Sequence, residues 1–272
     1  MLNVSLDIFK YRHKKKLNQV LYYSIKTDGI NKIENLINNF LIEKDSFIFE
    51  SVEKGFIKGR YTIFGKNPDK IWEFNNNKAF TVDKLNKKKK LKGEPAKILE
   101  NLVESFKFKT PVSLPPICSL LSGYFSYDII RYIEKIPNTC KDDLKLPDVR
   151  LMRPKVLIIH DNYKKKIFFI VNIYKDEKIN NYQKSYFEIK KQLKDLILLA
   201  QQPNNIATIC HHPKKYKIKS NTSKNKFLNM VNKAKKYIKI GDIFQVVLSQ
   251  RFETKLSKKP LDIYKKLRVT NP

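Results

Sequence analysis

The chain has 272 residues, 42% of them apolar and 12% aromatic, with 56 Lys and Arg against 26 Asp and Glu for a formal charge of +30. That apolar content excludes a disordered polybasic tail, which would lack the side chains to offset the entropy of ordering, and the length suffices for one large core or two. The charge by itself would point to a polyanion, yet 49 of the cations are Lys and only 7 are Arg, whereas phosphate and base-edge recognition draws on the planar Arg fork.

The opening MLNVSLDIFKYRHKKK holds no apolar core of signal-peptide length, and no later run approaches 18 apolar residues, so a cytoplasmic location is expected. Ile30, Ile33, Ile37 and Leu41 predict an amphipathic helix over residues 29–42. Ser46–Ser51 and Arg60–Phe64 read as two short strands around a turn with Gly55 and Gly59. Ile71–Phe74 and Ala79–Val82 flank Asn75-Asn76-Asn77 and predict a hairpin, and Lys87–Lys90 reads as a solvated loop. Gly93-Glu94-Pro95 opens a helix carrying Ile98, Leu99, Leu102 and Phe106, which ends before Pro111.

Beyond Pro116, the apolar run Ile117–Phe125 reads as a buried strand whose Gly123 permits close approach and whose Tyr124 and Phe125 fill core volume. A short helix over Tyr127–Ile133 follows. Val156–His160 and Ile167–Ile173 predict a hairpin about residues 161–164, with His160 as a hydrogen-bonded edge residue. Ile179, Tyr182, Tyr186, Ile189, Leu193, Leu196 and Ala200 mark a long helix. Residues 201–223 are polar and aperiodic and read as a linker. Then come a helix carrying Phe227, Met230, Val231, Ala234, Tyr237 and Ile238 and stopped at Gly241, a strand over Ile243–Phe252, and a helix from Pro260 to Leu267. A helix, a strand and a helix in about 50 residues cannot close a core of their own, so this last unit is expected to be the opening of something larger.

Little in these residues carries chemistry unaided. No Gly-rich phosphate loop, zinc spacing or nucleophile elbow is present. Cys118, Cys140 and Cys210 form neither a metal-type spacing nor an even disulfide set, which fits a reducing compartment. Cys210-His211-His212 has no second ligand pair and reads as an ordinary loop. Gln245 sits in an otherwise apolar stretch and needs partners if buried.

Three stretches say more. They are LSGYFSYD at 121–128, continued by Arg131-Tyr132-Ile133-Glu134 and Leu146-Pro147-Asp148; AKKYIKIGDIFQVVLSQRF at 234–252; and FESVE at 49–53 with Gly59-Arg60-Tyr61. Together, from about residue 20 to 272, they resemble anthranilate synthase component I of the chorismate-utilising enzyme family. The sister enzyme, aminodeoxychorismate synthase component I, shares the Gly-Tyr-Phe-Ser-Tyr-Asp type of stretch but tends to carry Asn where this chain has Val247, so Val247 favours the anthranilate branch.

The resemblance implies an α+β fold: an antiparallel-rich N-terminal domain over residues 1–200, a linker over 201–223, and over 224–272 the beginning of a layered α/β sandwich chorismate-binding domain. It implies conversion of chorismate and ammonia to anthranilate and pyruvate in tryptophan biosynthesis. Mg²⁺ would bridge the substrate carboxylate and acidic side chains, and ammonia would come from a glutamine amidotransferase, component II. A divalent cation and placed acid/base groups suit a reaction that builds negative charge. In the family those residues lie in the C-terminal half, so no catalytic residue and no metal ligand is assigned here, and the 272 residues alone are expected to be inactive. The tryptophan feedback site carries over by motif to Ser51, with Glu50 beside it and Arg60 as a weaker candidate. A hydroxyl and a carboxylate can satisfy an ammonium group. Further tryptophan contacts in the family follow the equivalent of Asn271-Pro272, so calorimetry on these residues is expected to show little binding. Two readings from other classes stay open: a basic nucleic-acid-binding module, whose binding would fade steeply with salt, and a free-standing piece that docks the amidotransferase.

Overall fold

The computed structural model describes residues 2–27, 32–50, 59–83, 85–106, 110–202, 217–256 and 258–270. The chain divides into two compact units, Met1–Asn205 and Ile206–Pro272.

The first unit is built on an eight-stranded, antiparallel sheet. Its strands are β1 (Gln19–Lys26), β2 (Phe47–Phe49), β3 (Tyr61–Asn75), β4 (Lys78–Val82), β5 (Lys88–Lys90), β6 (Ser122–Phe125), β7 (Val149–Asp161) and β8 (Lys166–Ile173). Their order is β1-β8-β7-β3-β4-β5, with β2 on β3 and β6 on β7. The long central pair runs from Tyr61 opposite Asp161 to Phe74 opposite Val149, so the predicted strands at 60–64 and 71–74 are one strand. A register shift between Pro68 and Lys70 allows this, because Asp69 is an extra residue on the β3 side. Pro68 faces Pro154 across the pair. Each proline falls where its strand has no ladder partner on the far side, between β2 and β4 for Pro68 and between β6 and β8 for Pro154. A residue without an N–H is tolerated there.

Helices cover the sheet for reasons visible in the chain. In α1 (Leu6–Lys14) the Ser5 hydroxyl caps the Ile8 amide, Asp7 sits in the first turn and Arg12, His13 and Lys14 in the last, all matched to the helix dipole. In α2 (Lys32–Phe40), Leu36, Ile37 and Phe40 are fully buried, and the Phe40 ring meets Phe64 of β3 edge-on at 5.9 Å. The predicted long helix is α4 (Tyr182–Gln201); Asn181 caps it, and Tyr186, Ile189, Leu193, Leu196 and Ala200 form its buried stripe against β8, β1, α1 and α2. Ile179 lies ahead of its first turn. Full burial of each large apolar side chain contributes about 1.5–3 kcal/mol. A further helix, α3 (Pro95–Ser105), starts on its proline and packs Ile98, Leu99 and Leu102 against Trp72, Phe74 and Val149.

Several expectations are corrected. Lys87–Lys90 is not a loop: residues 88–90 form the edge strand β5, whose short, lysine-rich backbone discourages pairing with another chain. Ile117–Phe125 is not one buried strand. Only Ser122–Phe125 pairs, and the preceding segment instead straps Leu114 and Cys118 over Val20, Leu157 and Phe168. Tyr124 and Phe125 do not fill the core, being 40% and 53% exposed. His160 is not at an edge; it lies on β7 between Thr62 and Ile167.

In the second unit, α5 (Lys224–Ile240) is capped by Ser223 and stopped by Gly241 at φ +84°, the left-handed value that glycine takes without penalty. The Asp242 amide closes that end on the Tyr237 carbonyl at 3.0 Å. β9 (Ile218–Ser220) pairs antiparallel with β10 (Phe252–Thr254), and α6 runs over Pro260–Thr270. The strand expected over Ile243–Phe252 is reduced to its last residue plus Glu253 and Thr254, because only three residues of β9 offer it a ladder. None of the described residues of this unit is buried, and Gln245 faces solvent. Among the described residues no helix is long and apolar enough to cross a membrane.

Candidate functional site

Glu50 follows directly on β2, and Arg60 directly precedes β3. Phe49 pairs with Ile63, and Tyr61 with Asp161, so the ladder brings Glu50, Arg60 and the β7–β8 turn to one end of the sheet. Glu50 is half-buried. Ser51 lies outside the described residues, as does Cys210-His211-His212.

Arg60 is committed to a partner the sequence did not reveal. Its Nε and Nη2 donate to the two carboxylate oxygens of Asp161 at 3.1 and 2.9 Å. Its guanidinium also lies over the rings of Tyr61, at 4.8 Å, and Tyr163, at 5.3 Å. Asp161 Oδ1 accepts the Tyr163 and Lys164 amides as well, and the Asn162 amide donates to the Arg60 carbonyl at 2.8 Å. Arg60 is thereby a brace between the start of β3 and the β7–β8 turn, and the edge of its fork that suits a carboxylate is occupied. Burial pushes the Asp161 carboxyl upward, but the Arg60 hydrogen bonds, the turn amides and the Arg60 charge together hold it below the usual carboxylate range.

A stability prediction follows from that brace. Asp161→Ala removes the acceptor of two backbone amides and of Arg60, and is expected to cost about 2 kcal/mol at neutral pH. Because the native pKa lies below the unfolded value of about 3.9, the Asp161 contribution is complete above roughly pH 4 and is lost as pH falls through the native value. Urea melts between pH 3 and 7 should therefore show a shallower acid loss for the variant than for the parent chain. Equal slopes would remove Asp161 from the acid response.

The LSGYFSYD stretch and its continuation assemble at the opposite end of β7. Gly123 lies against the β7 backbone: a Cβ there would stand 1.8 Å from the Arg150 carbonyl oxygen. After a 3₁₀ turn over Tyr127–Tyr132, the Tyr132 hydroxyl donates to Asp148 Oδ2 at 2.8 Å. Burial, then the Asp148 carboxylate, push the Tyr132 phenol well above its ordinary range, so it stays a donor. Asp148 also receives the Asn76 amide, and its own backbone bonds Phe74 and Ser126. Arg131 pairs with Asp128 and donates to the Ile136 and Pro137 carbonyls. Arg150 joins Glu73 and Asp45, with Lys88 on the other Glu73 oxygen. Burial raises the Glu73 carboxyl, and the Lys88 and Arg150 hydrogen bonds and charges more than reverse that. These motif residues hold the sheet, the turn and the 146–148 segment together. Sequence reasoning singled out Asp128, Arg131, Tyr132 and Asp148 as motif residues and Asn76 only as part of a hairpin loop; Asp128 and Arg131 are three residues apart on the 3₁₀ turn, whereas the Asn76 amide reaches Asp148 only through the sheet.

Among the described residues no group of three or more His, Cys, Asp or Glu comes together that could hold a metal ion. The Mg²⁺ implied by the resemblance is therefore given no ligands here, and no step is routed through it.

A mostly antiparallel sheet carrying these motifs, followed by the helix ended at Gly241, defines a class. The chain belongs to the chorismate binding enzyme family, which matches residues 44–272. Within it, the chain is 34% identical over 88% of its length to anthranilate synthase component 1 of Acetivibrio thermocellus, covering 49% of that relative. It is 30% identical over 98% of its length to anthranilate synthase component 1 of Cereibacter sphaeroides, covering 54% of it. The crystal structure of anthranilate synthase component I from Streptococcus pneumoniae is similar with a TM-score of 0.65 and 26% identity, over 91% of this chain and 52% of that one. The chain thus spans about half the length of the curated relatives it matches.

Proposed function

We propose that this chain serves in the large component of an anthranilate synthase. That component forms anthranilate and pyruvate from chorismate and from ammonia delivered by a glutamine amidotransferase, component II. The observation that carries this reading is the reach of the family match over residues 44–272, through the first unit and into the Gly241–Phe252 stretch with Val247. In this reading Mg²⁺ is the cofactor, held outside the residues described above, and the protein works in the cytoplasm. Tryptophan inhibits by placing its ammonium group against Ser51 and Glu50, while Arg60, braced on Asp161, stands beside them as the weaker candidate contact. The substrate-handling groups belong to the half of the relatives that this chain does not span, so the 272 residues alone are expected to form no anthranilate.

The test supplies the chain, joined to or mixed with the half its relatives carry further on, with chorismate, ammonium and Mg²⁺. Mass spectrometry and fluorescence should identify 2-aminobenzoate. The 4-amino isomer would assign the chain to the sister enzyme. Turnover by the 272 residues alone would overturn the division of labour proposed here.

A further inference from the structure

Arginine is scarce in this chain, and nearly all of it is committed. Arg60, Arg131, Arg150, Arg153 and Arg251 each pair with a carboxylate, and Arg268 is engaged as well. All the arginines are among the described residues, and of them only the Arg12 side chain makes no hydrogen bond or ion pair. Arg12 lines a cleft of about 520 Å³ with Lys16, Leu17, Thr110, Val112 and Lys175. The two lysine side chains are unpaired too, and no carboxylate lines the cleft among the described residues. The acidic residues outside the described ones are Asp28 and Glu53; they follow β1 and β2, which both end toward the Asp161 turn, away from the Asn18 end of the sheet.

Anchored segments build this cleft. α1 ends there: Lys16 takes φ +52°, and the Lys15, Lys16 and Leu17 amides occupy the Tyr11, His13 and Arg12 carbonyls, so the negative end of the helix is capped. Asn18 Oδ1 accepts the Lys175 amide at 2.9 Å, and the Tyr22 hydroxyl donates to Ser113 Oγ at 2.8 Å, which ties the start of β1, the end of β8 and the strap together. A guanidinium fork and two ammonium groups around one cavity repel one another until an anion enters. The fork matches phosphate oxygens two at a time, and three positive charges favour a dianion over a single carboxylate. Leu17 is half exposed and Val112 fully exposed, an apolar wall beside the charges of the kind that small-molecule sites use. We propose that this cleft binds a small phosphate monoester with an apolar body, the phosphoryl group at Arg12, Lys16 and Lys175 and the body against Leu17 and Val112. The site lies at the end of the sheet opposite the Arg60–Asp161 brace and stands whether or not the chain serves in anthranilate formation.

Methyl NMR titrations of the whole 272-residue chain test it with phenyl phosphate, inorganic phosphate, benzoate and benzyl alcohol. Phenyl phosphate should give saturable shifts at the Leu17 and Val112 methyls and bind about tenfold tighter than benzoate. Inorganic phosphate, which lacks the body, should compete with it more weakly, and benzyl alcohol should not saturate. Arg12→Gln should weaken phenyl phosphate about tenfold, the worth of one charged hydrogen bond, and Arg12→Lys should recover only part of that loss. Lys164→Gln removes the same charge from an exposed side chain of the β7–β8 turn and should change the affinity less than about twofold, which separates a built site from the field of a cationic chain. Val112→Glu, at a fully exposed position, should abolish binding while circular dichroism shows the fold intact. Equal losses for Arg12→Gln and Lys164→Gln, equal affinity for phenyl phosphate and benzoate, binding that survives Val112→Glu, or no saturation at the Leu17 and Val112 methyls would each overturn the proposal.

Discussion

Gly123→Ala is expected to destabilise the first unit by about 3 kcal/mol. The added methyl would sit 1.8 Å from the Arg150 carbonyl oxygen and 2.9 Å from the Leu151 Cα, both of them backbone atoms of a central strand that cannot swing aside as a side chain would. Relief requires β6 to lift from β7, which breaks the ladder from Ser122–Met152 to Phe125–Val149. That movement also pulls the Ser126 amide from the Asp148 carbonyl, now 2.7 Å away, and with it the segment that Tyr132 and Asn76 tie down. Urea unfolding of the variant should show a lowered midpoint and, below the transition, loss of protection at residues 122–126. An unchanged midpoint would mean that Gly123 is not the contact that positions this motif.

Arg153→Ala should cost a similar amount, about 3 kcal/mol, because it leaves the largely buried Asp69 carboxylate without its partner, while Asp176 keeps Lys70. Arg153 is 9% exposed and sits on β7 beside the bulge. Its fork spans both oxygens of Asp69, the extra residue of β3, and it also bonds Asp176 at 2.9 Å. Its guanidinium lies 3.9 Å over the ring of Tyr174, whose hydroxyl donates to the Pro154 carbonyl at 3.0 Å. Lys70, the next residue after the bulge, pairs with Asp176 as well. Arg153→Lys should recover less than half of the loss, since an ammonium cannot make the two-pronged contact and the stacking together. Full rescue by lysine would reduce the site to simple charge.

The elements that could be read from the chain are those whose pattern is local. α4 and α5 announce themselves through a 3.6-residue apolar stripe, a capping Asn181 or Ser223 and, for α5, Gly241 at the end. The β3–β4 turn is written in Asn76 and Asn77, which adopt the positive φ that asparagine tolerates. α1 and β1 carry weak local patterns: α1 buries only Phe9 fully, and β1 is an edge strand whose burial alternates only over its last four residues. The stretch 243–252 misled for the opposite reason. Its β-branched and aromatic residues suit a pleated surface, but β propensity reports a fit to neighbouring strands, and among the described residues of its unit only β9 is there to pair. At the candidate site, motif likeness picked out Glu50 and Arg60. The partner that fixes Arg60 is Asp161, 101 residues away, and only the sheet register brings the two together.

The most direct test is the identity of the aromatic amine formed when this chain, together with the half of its relatives that it does not span, is given chorismate and ammonium with Mg²⁺. The expected products are 2-aminobenzoate and pyruvate in equal amount. Formation of 4-aminobenzoate, or chorismate left unconsumed by the combined protein shown to be folded, would contradict the proposed function.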